Sequence, residues 1–191
     1  LEQASLQGRS DDPYAYWVDQ FDPGMTPELL HEVLDPLQSA LKPLADRLCE
    51  ASANAGCALP AGEYSREGQE RILREVVARM GFDFDHGRID TALHPFCDGT
   101  GEDVRITTHY DLGNPLDSLY SAMHECGHAL YEQGIDQRKV GTATGMSAGM
   151  AVHESQSRIW ENQVGRSPAF WSWAKGMFDR EFPDQCAGMN V

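Results

Sequence analysis

The segment Ser121-Ala-Met-His124-Glu125-Cys126-Gly127-His128-Ala-Leu-Tyr-Glu132 constrains this chain more than any other. It sets His-Glu-x-x-His inside an apolar, helix-compatible run. Residues four apart on an α-helix lie on one face, a turn above each other. His124 and His128 can therefore grip one metal ion from the same side. Glu125 projects at about 100° from His124, close enough to act on a water bound to that metal. Two imidazole ligands and a carboxylate base are the pattern of zinc metalloproteases. The bare pattern also suits a surface helix whose two His and one Glu are merely solvated. The decision rests on a third ligand and a scaffold elsewhere in the chain.

The length of 191 residues allows one domain with a sizeable core. An apolar fraction of 41% fits a globular protein rather than a disordered one. Against 30 acidic residues stand 15 basic ones, a net charge of -15. That balance disfavours nucleic acid or an anionic membrane as partner and fits a soluble cytoplasmic protein kept dispersed by repulsion. The 5 cysteines form no Cys-x-x-Cys pair, which argues against a disulfide framework or a cysteine-rich zinc site. Cys126 points away from the ligand face and reads as a small buried residue. No run of about eighteen apolar residues predicts a membrane span, and no signal peptide is recognisable. The first residue is Leu1 rather than Met, which predicts a processed N-terminus or a piece of something longer.

Residues 1–13 read as a flexible polar lead-in and 14–191 as a single helical domain. Tyr14 to Phe21 predicts a short helix, broken by Asp22-Pro23-Gly24. Thr26-Pro27-Glu28 is a helix start with cap, first-position proline and early acid. The spacing of Leu29, Leu30, Val33, Leu34, Leu37, Leu41, Leu44 and Leu48 predicts a long amphipathic helix to about Ala53, ended by Asn54-Ala-Gly56. Its leucine stripe is expected in the core, and Pro36 and Pro43 are expected to kink or divide it. Ser65 caps a helix whose buried face is Ile72, Leu73, Val76, Val77 and Met80, with Gly81 as its stop. Residues 82–88 read as a turn-rich connection. Asp103 to Tyr110 alternates, is β-branched, and predicts the one convincing strand. The metal helix runs roughly Leu116–Gln133. Gly141, Gly145 and Gly149 space either a loop that brings backbone to a ligand or a plain connector. Ala148 to Val164 predicts a helix, and Ser167-Pro168 starts another.

A catalytic zinc needs three protein ligands and an open position. Glu154 is the best third ligand: it follows His128 by 26 positions (154 − 128), after a glycine-rich reversal, on a patterned helix. Glu132, one turn past His128, reads as a supporting contact or a cap. Glu161 reads as solvated or salt-bridged. With these parts zinc lowers the pKa of its water and Glu125 takes the proton and delivers it to the leaving amine. His153, His109, Tyr110 and His94 are candidate donors to the oxyanion. The sequence does not separate their roles, and a packed structural role fits each equally well.

Four segments carry a further signal. They are His94-Pro-Phe96, Asp103-Val-Arg105-Ile-Thr107-Thr108-His-Tyr110, His124-Glu-Cys-Gly-His128-Ala-Leu-Tyr-Glu-Gln-Gly134 and His153-Glu154-Ser-Gln-Ser-Arg158. In this order they resemble the motifs of the carboxypeptidase Taq family of metallocarboxypeptidases. Phe21-Asp-Pro-Gly-Met25, Gly81-Phe-Asp-Phe-Asp85 and Trp160-Glu-Asn162 resemble it too, so the likeness covers the chain from about Asp12 onward. The resemblance implies a mainly α fold: a helical, zincin-like metallopeptidase core with a small β element beside the active site. It implies release of C-terminal residues from peptides, one divalent metal per chain (zinc, with cobalt as the alternative) and a homodimer. By carry-over His124, His128 and Glu154 are metal ligands and Glu125 the general base. Asp103, Arg105 and Thr107 line the cleft, where a strand Asp-x-Arg pair is otherwise more often a structural salt bridge.

Family members are considerably longer. Their Ile-Arg-x-x-Ala-Asp-like and Gln-Asp-x-His-Trp-like elements, which help recognise the substrate carboxylate, have no counterpart here. Recognition of that carboxylate needs a cation, and only Arg105 or Arg158 is a candidate. A metallocarboxypeptidase core is the leading reading. An open-cleft endo- or aminopeptidase, or a non-catalytic metal-binding fragment, are the alternatives.

Overall fold

The computed structural model describes residues 1–9, 11–55 and 59–189. The chain forms two compact units, Leu1–Leu59 and Pro60–Val191. Gly56, expected to end the long helix, lies outside the described residues.

The first unit holds three helices: α1 (Glu2–Leu6), α2 (Pro13–Phe21) and α3 (Pro27–Ala55). Asp12 caps α2 by accepting from the Ala15 amide at 2.9 Å, and Thr26 accepts from the Leu29 amide at 3.2 Å at the start of α3. Pro36 and Pro43 lie inside one continuous 29-residue helix, not at a break. The leucine stripe of α3 does not enter a core. Val33, Leu37, Leu41 and Leu48 are 58%, 48%, 50% and 59% exposed. The helices of 5 and 9 residues that accompany α3 in this unit are too short to cover 29 residues.

The second unit opens with α4 (Arg66–Met80), capped by Ser65 as expected. Gly81 ends it in the left-handed region, φ 109°, which glycine adopts at little steric cost. Ile72, Leu73, Val76 and Val77 form its buried face. A three-stranded sheet follows: β1 (Gly87–Thr91), β2 (Cys97–Thr100) and β3 (Asp103–Thr108), in the order β1-β3-β2. β1 runs parallel to β3, with Ile89 opposite Ile106. β2 runs antiparallel to it, with Asp98 opposite Arg105. β3 alternates from Asp103 to Ile106, then buries both Thr107 and Thr108 and ends there, two residues short of the expected Tyr110. Val104 and Ile106 are buried, and Asp103 and Arg105 are exposed.

α5 (Pro115–Gln133) packs against this sheet and against α4. Asn114 caps it, and Pro115 occupies its first turn. The helix expected over residues 148–164 divides into α6 (Met150–Arg158) and a wide, π-type turn over Ile159–Val164. α7 (Pro168–Glu181) and the short α8 (Pro183–Cys186) complete the chain. One apolar cluster unites Leu73, Val77, Ile106, Met123 and Phe178. A buried polar network crosses it. Gln69 Nε2 donates to the carbonyls of Tyr64 and Asp111, and Ser118 Oγ donates to Gln69 Oε1 at 2.6 Å. That network fixes the N-terminal end of α5 on α4, and hence the register of the residues that follow. The fold is mainly helical with a small sheet beside α5. Among the described residues, no helix is long and apolar enough to cross a membrane.

Candidate metal centre

The site depends on how closely α5 and α6 approach. Gly127 lies between the two histidines of the His-Glu-x-x-His segment. A Cβ there would sit 2.5 Å from the Ser157 Cα and 2.7 Å from the Gln156 carbonyl oxygen. Only glycine allows this crossing, and the crossing carries Glu154 across to the histidines. His128 Nε2 lies 3.2 Å from Glu154 Oε2, and His124 Nε2 lies 3.6 Å from the same oxygen. All three ligand atoms fall within 4.8 Å of one another.

This donor set fits a divalent ion. Bonds of about 2.05 Å in a tetrahedral zinc site put neighbouring ligand atoms about 3.3 Å apart. The two histidine–carboxylate spacings of 3.2 Å and 3.6 Å match that edge. Two imidazoles and one carboxylate also leave a position open for water or substrate.

The surroundings hold the three side chains in place. His124 Nδ1 is 2.9 Å from Glu161 Oε2. His128 Nδ1 is 2.6 Å from His153 Nδ1, and His153 Nε2 is 2.8 Å from Glu132 Oε1. Arg158 donates from Nε to Glu154 Oε1 at 2.7 Å and from a terminal nitrogen to Glu161 Oε2 at 3.0 Å. The two oxygens of Glu154 are thereby divided: Oε1 faces Arg158, and Oε2 faces the imidazoles. Burial alone would raise the Glu154 pKa, but hydrogen bonds from Ser157 and Arg158 outweigh it and hold the carboxyl below its ordinary value. Glu161 is lowered in the same way by His124 and Arg166 against its burial. Burial, together with the charges of His153 and His124, pushes His128 down. These shifts favour an ionised Glu154 facing a neutral His128, the ligand forms that a cation requires.

Glu125 is buried at 7% exposure, on the turn of α5 that carries His124. Burial is the main cause that raises its pKa. The Glu154 and Glu161 charges add to the rise, and those of His124 and His94 oppose it. A carboxyl whose ionised and neutral forms lie closer in energy suits a group that takes up and returns a proton.

The other expected residues divide into near and far. His94 is close enough for its charge to act on Glu125. Its loop is tied to β3, where Thr107 Oγ1 accepts from the Phe96 amide at 2.9 Å and the Thr107 amide donates to the Phe96 carbonyl at 2.9 Å. Thr107 thus holds the His94–Phe96 loop in place. His109 is instead engaged by Asp117 in the first turn of α5, at 2.7 Å. Tyr110 packs beneath the Arg66 guanidinium, 5.0 Å away, and burial pushes its hydroxyl up to about 12. Asp103 and Arg105 form a two-pronged pair on the exposed face of β3. Arg158, the other candidate for a substrate carboxylate, is occupied by Glu154 and Glu161.

Glu161 takes the salt-bridged form that its sequence expectation allowed, not the solvated one. Its side chain is 15% exposed and meets His124, Arg158 and Arg166. Wide helical turns concentrate at functional sites, and Glu161 lies in one, but the turn is invisible in the residue pattern. Cys97 also lies near the site. Burial, with the Glu125 and Glu132 charges, pushes its thiol up to about 12. Cys126 is buried as its position in the segment predicts.

The model of the carboxypeptidase Taq (M32) metallopeptidase family matches residues 1–191. The chain belongs to that family. It is 40% identical over 161 residues to the "Thermostable carboxypeptidase 1" of Thermus thermophilus, covering 83% of this chain and 31% of that protein. It is 35% identical over 166 residues to the "Carboxypeptidase 1" of Bacillus subtilis, covering 86% and 33%. The crystal structure of the M32 carboxypeptidase from Deinococcus radiodurans covers all of this chain with a TM-score of 0.89 and 42% identity, over 38% of its own length. The chain therefore spans about a third of the curated carboxypeptidase Taq relatives that it matches.

Proposed function

We propose that His124, His128 and Glu154 hold one divalent metal ion, zinc, and that the chain carries the hydrolytic centre of a metallocarboxypeptidase acting on the C-terminal peptide bond of peptides. The observation that carries this reading is the convergence of two Nε2 atoms and one carboxylate oxygen beside the buried Glu125. A zinc ion held there supplies a Lewis acid for the attacking water and the scissile carbonyl. Glu125 takes a proton from that water, holds it in a site that favours its neutral form, and delivers it to the leaving amine nitrogen. His94, whose charge acts on Glu125, is the candidate donor to the developing oxyanion. Arg158 and Ser157 keep Glu154 turned toward the histidines throughout.

The substrate class rests on the family and on the names of its relatives. Arg105, paired with Asp103 on the exposed face of β3, is the candidate cation for a terminal carboxylate; it would release Asp103 to do so. A net charge of -15 supports peptides rather than nucleic acid as partners. The homodimer rests on family resemblance.

The test is to load the purified chain with zinc and offer it a mixture of unblocked peptides, reading the products by mass spectrometry. Loss of single C-terminal residues, reduced by roughly 100-fold or more in Glu125→Gln, is the expected result. Equal rates for wild type and Glu125→Gln would overturn the mechanism, and internal cuts would overturn the specificity.

A further inference from the structure

The two histidines that converge on Glu154 are supported in different ways. His124 Nδ1 meets a carboxylate directly, Glu161 Oε2, at 2.9 Å. His128 Nδ1 meets another imidazole, His153 Nδ1, at 2.6 Å. We propose that His153, backed by Glu132, is a positioning residue that fixes the tautomer and plane of His128, so that a Glu132–His153–His128 relay presents the His128 Nε2 lone pair to the metal. This rests on the metal-centre reading above.

The protons follow from donor and acceptor chemistry. A carboxylate only accepts, so His153 Nε2, 2.8 Å from Glu132 Oε1, carries the hydrogen. Ligation through His128 Nε2 requires that ring's hydrogen on Nδ1, so His153 Nδ1, which faces it, is the acceptor. At 2.6 Å it accepts from His128 Nδ1, which must carry its own hydrogen there. His128 Nε2 is left with its lone pair in the ring plane, 3.2 Å from Glu154 Oε2. The opposite arrangement, with the hydrogen on His128 Nε2, would make Nδ1 the acceptor from His153 and leave Nε2 without a lone pair for the metal.

The packing supports the same order. His153 lies between two aromatic neighbours: its centroid is 4.7 Å from that of His128 and 4.7 Å from that of Tyr131. The Glu132 and His153 side chains are 22% and 21% exposed, so water competes weakly for their hydrogen bond. The chain spacing makes the relay compact. Glu132 is one turn after His128 on α5, and His153 immediately precedes Glu154 on α6. The crossing that brings Glu154 to the histidines therefore brings His153 to His128. Histidine ligands with such support lose roughly 10- to 100-fold in metal affinity when it is removed.

The test is cobalt affinity by equilibrium titration, with the visible spectrum of the bound ion as second readout. Wild type and His124→Ala come first. If wild type binds no cobalt, or His124→Ala binds as tightly, the metal-centre reading itself fails. Given binding, His153→Leu and Glu132→Leu are each expected to weaken it by roughly 10- to 100-fold and to shift the spectrum. Glu132→Gln retains an acceptor and is expected to stay within threefold of wild type, on the order of ordinary mutational scatter. Because the two residues act in series, the Glu132→Leu/His153→Leu double variant is expected to match the weaker single variant. Wild-type affinity in folded His153→Leu would overturn the relay, as would a double variant whose losses add. Where the leucine variants do not fold by circular dichroism, His153→Asn supplies the same comparison. The proton assignment has its own readout, nitrogen-15 histidine spectra of the zinc-loaded protein: a hydrogen on His128 Nδ1 supports it, and coordination through Nδ1 contradicts it.

Discussion

Helices α3 and α4 carry the same apolar spacing and meet different fates. In α4, Ile72, Leu73, Val76 and Val77 are 1%, 2%, 1% and 0% exposed. In α3, Leu37, Leu41 and Leu44 are 48%, 50% and 46% exposed. The difference is not in the pattern. α4 packs against both α5 and α7, whereas α3 shares its unit with two much shorter helices. Periodicity shows which face of a helix is apolar. What covers that face is decided by elements elsewhere in the chain.

Four substitutions test how far the covered and uncovered regions differ. Leu73→Ala removes a side chain at the centre of the covered face. It should cost about 2–5 kcal/mol in urea unfolding, and a loss under about 1 kcal/mol would mean that α4 is no better covered than α3. Next in size is Gly127→Ala at the α5–α6 crossing, expected to cost about 1–3 kcal/mol through overpacking and to weaken cobalt binding because Glu154 is displaced. Unchanged stability and affinity would show that the crossing is looser than the 2.5 Å approach to Ser157 implies.

Glu181→Gln removes the acid that joins α7 to α4. Glu181 accepts from Arg71 at 2.8 Å, and that hydrogen bond is the main cause that lowers its pKa. Screened by solvent, the loss should be about 0.5–1 kcal/mol. The sign with pH is fixed. The contribution is full above the unfolded value of about 4.5 and is lost as pH falls through the lower folded value. Wild type and variant should therefore converge in acid. A gap that persists there would assign the effect to packing instead. Leu41→Ala, on the uncovered stripe, should change stability by about 0.5 kcal/mol or less. A loss the size of the Leu73 effect would show that the stripe is covered in solution.

The sequence was informative where chemistry and period coincide. His124, Glu125 and His128 are fixed by helix geometry alone, and Glu154 by one reversal onto a neighbouring helix. β3 was legible because its alternation is strong. β1 and β2 were not, since Gly87-Arg-Ile-Asp-Thr91 and Cys97-Asp-Gly-Thr100 lack sustained alternation and are ordered by pairing with β3. The supporting layer of the site was the least legible. Glu161 depends on a wide turn after α6, and the His153–His128 contact depends on how closely two helices cross at Gly127. Neither leaves a mark in local spacing.

Zinc K-edge X-ray absorption on the zinc-loaded chain reads the proposed ligand set itself. Two imidazole nitrogens and a carboxylate oxygen are expected at about 2.0–2.1 Å, with the imidazole signal halved in His128→Ala. A shell containing sulfur at about 2.3 Å, or an imidazole signal that survives His128→Ala unchanged, would contradict it.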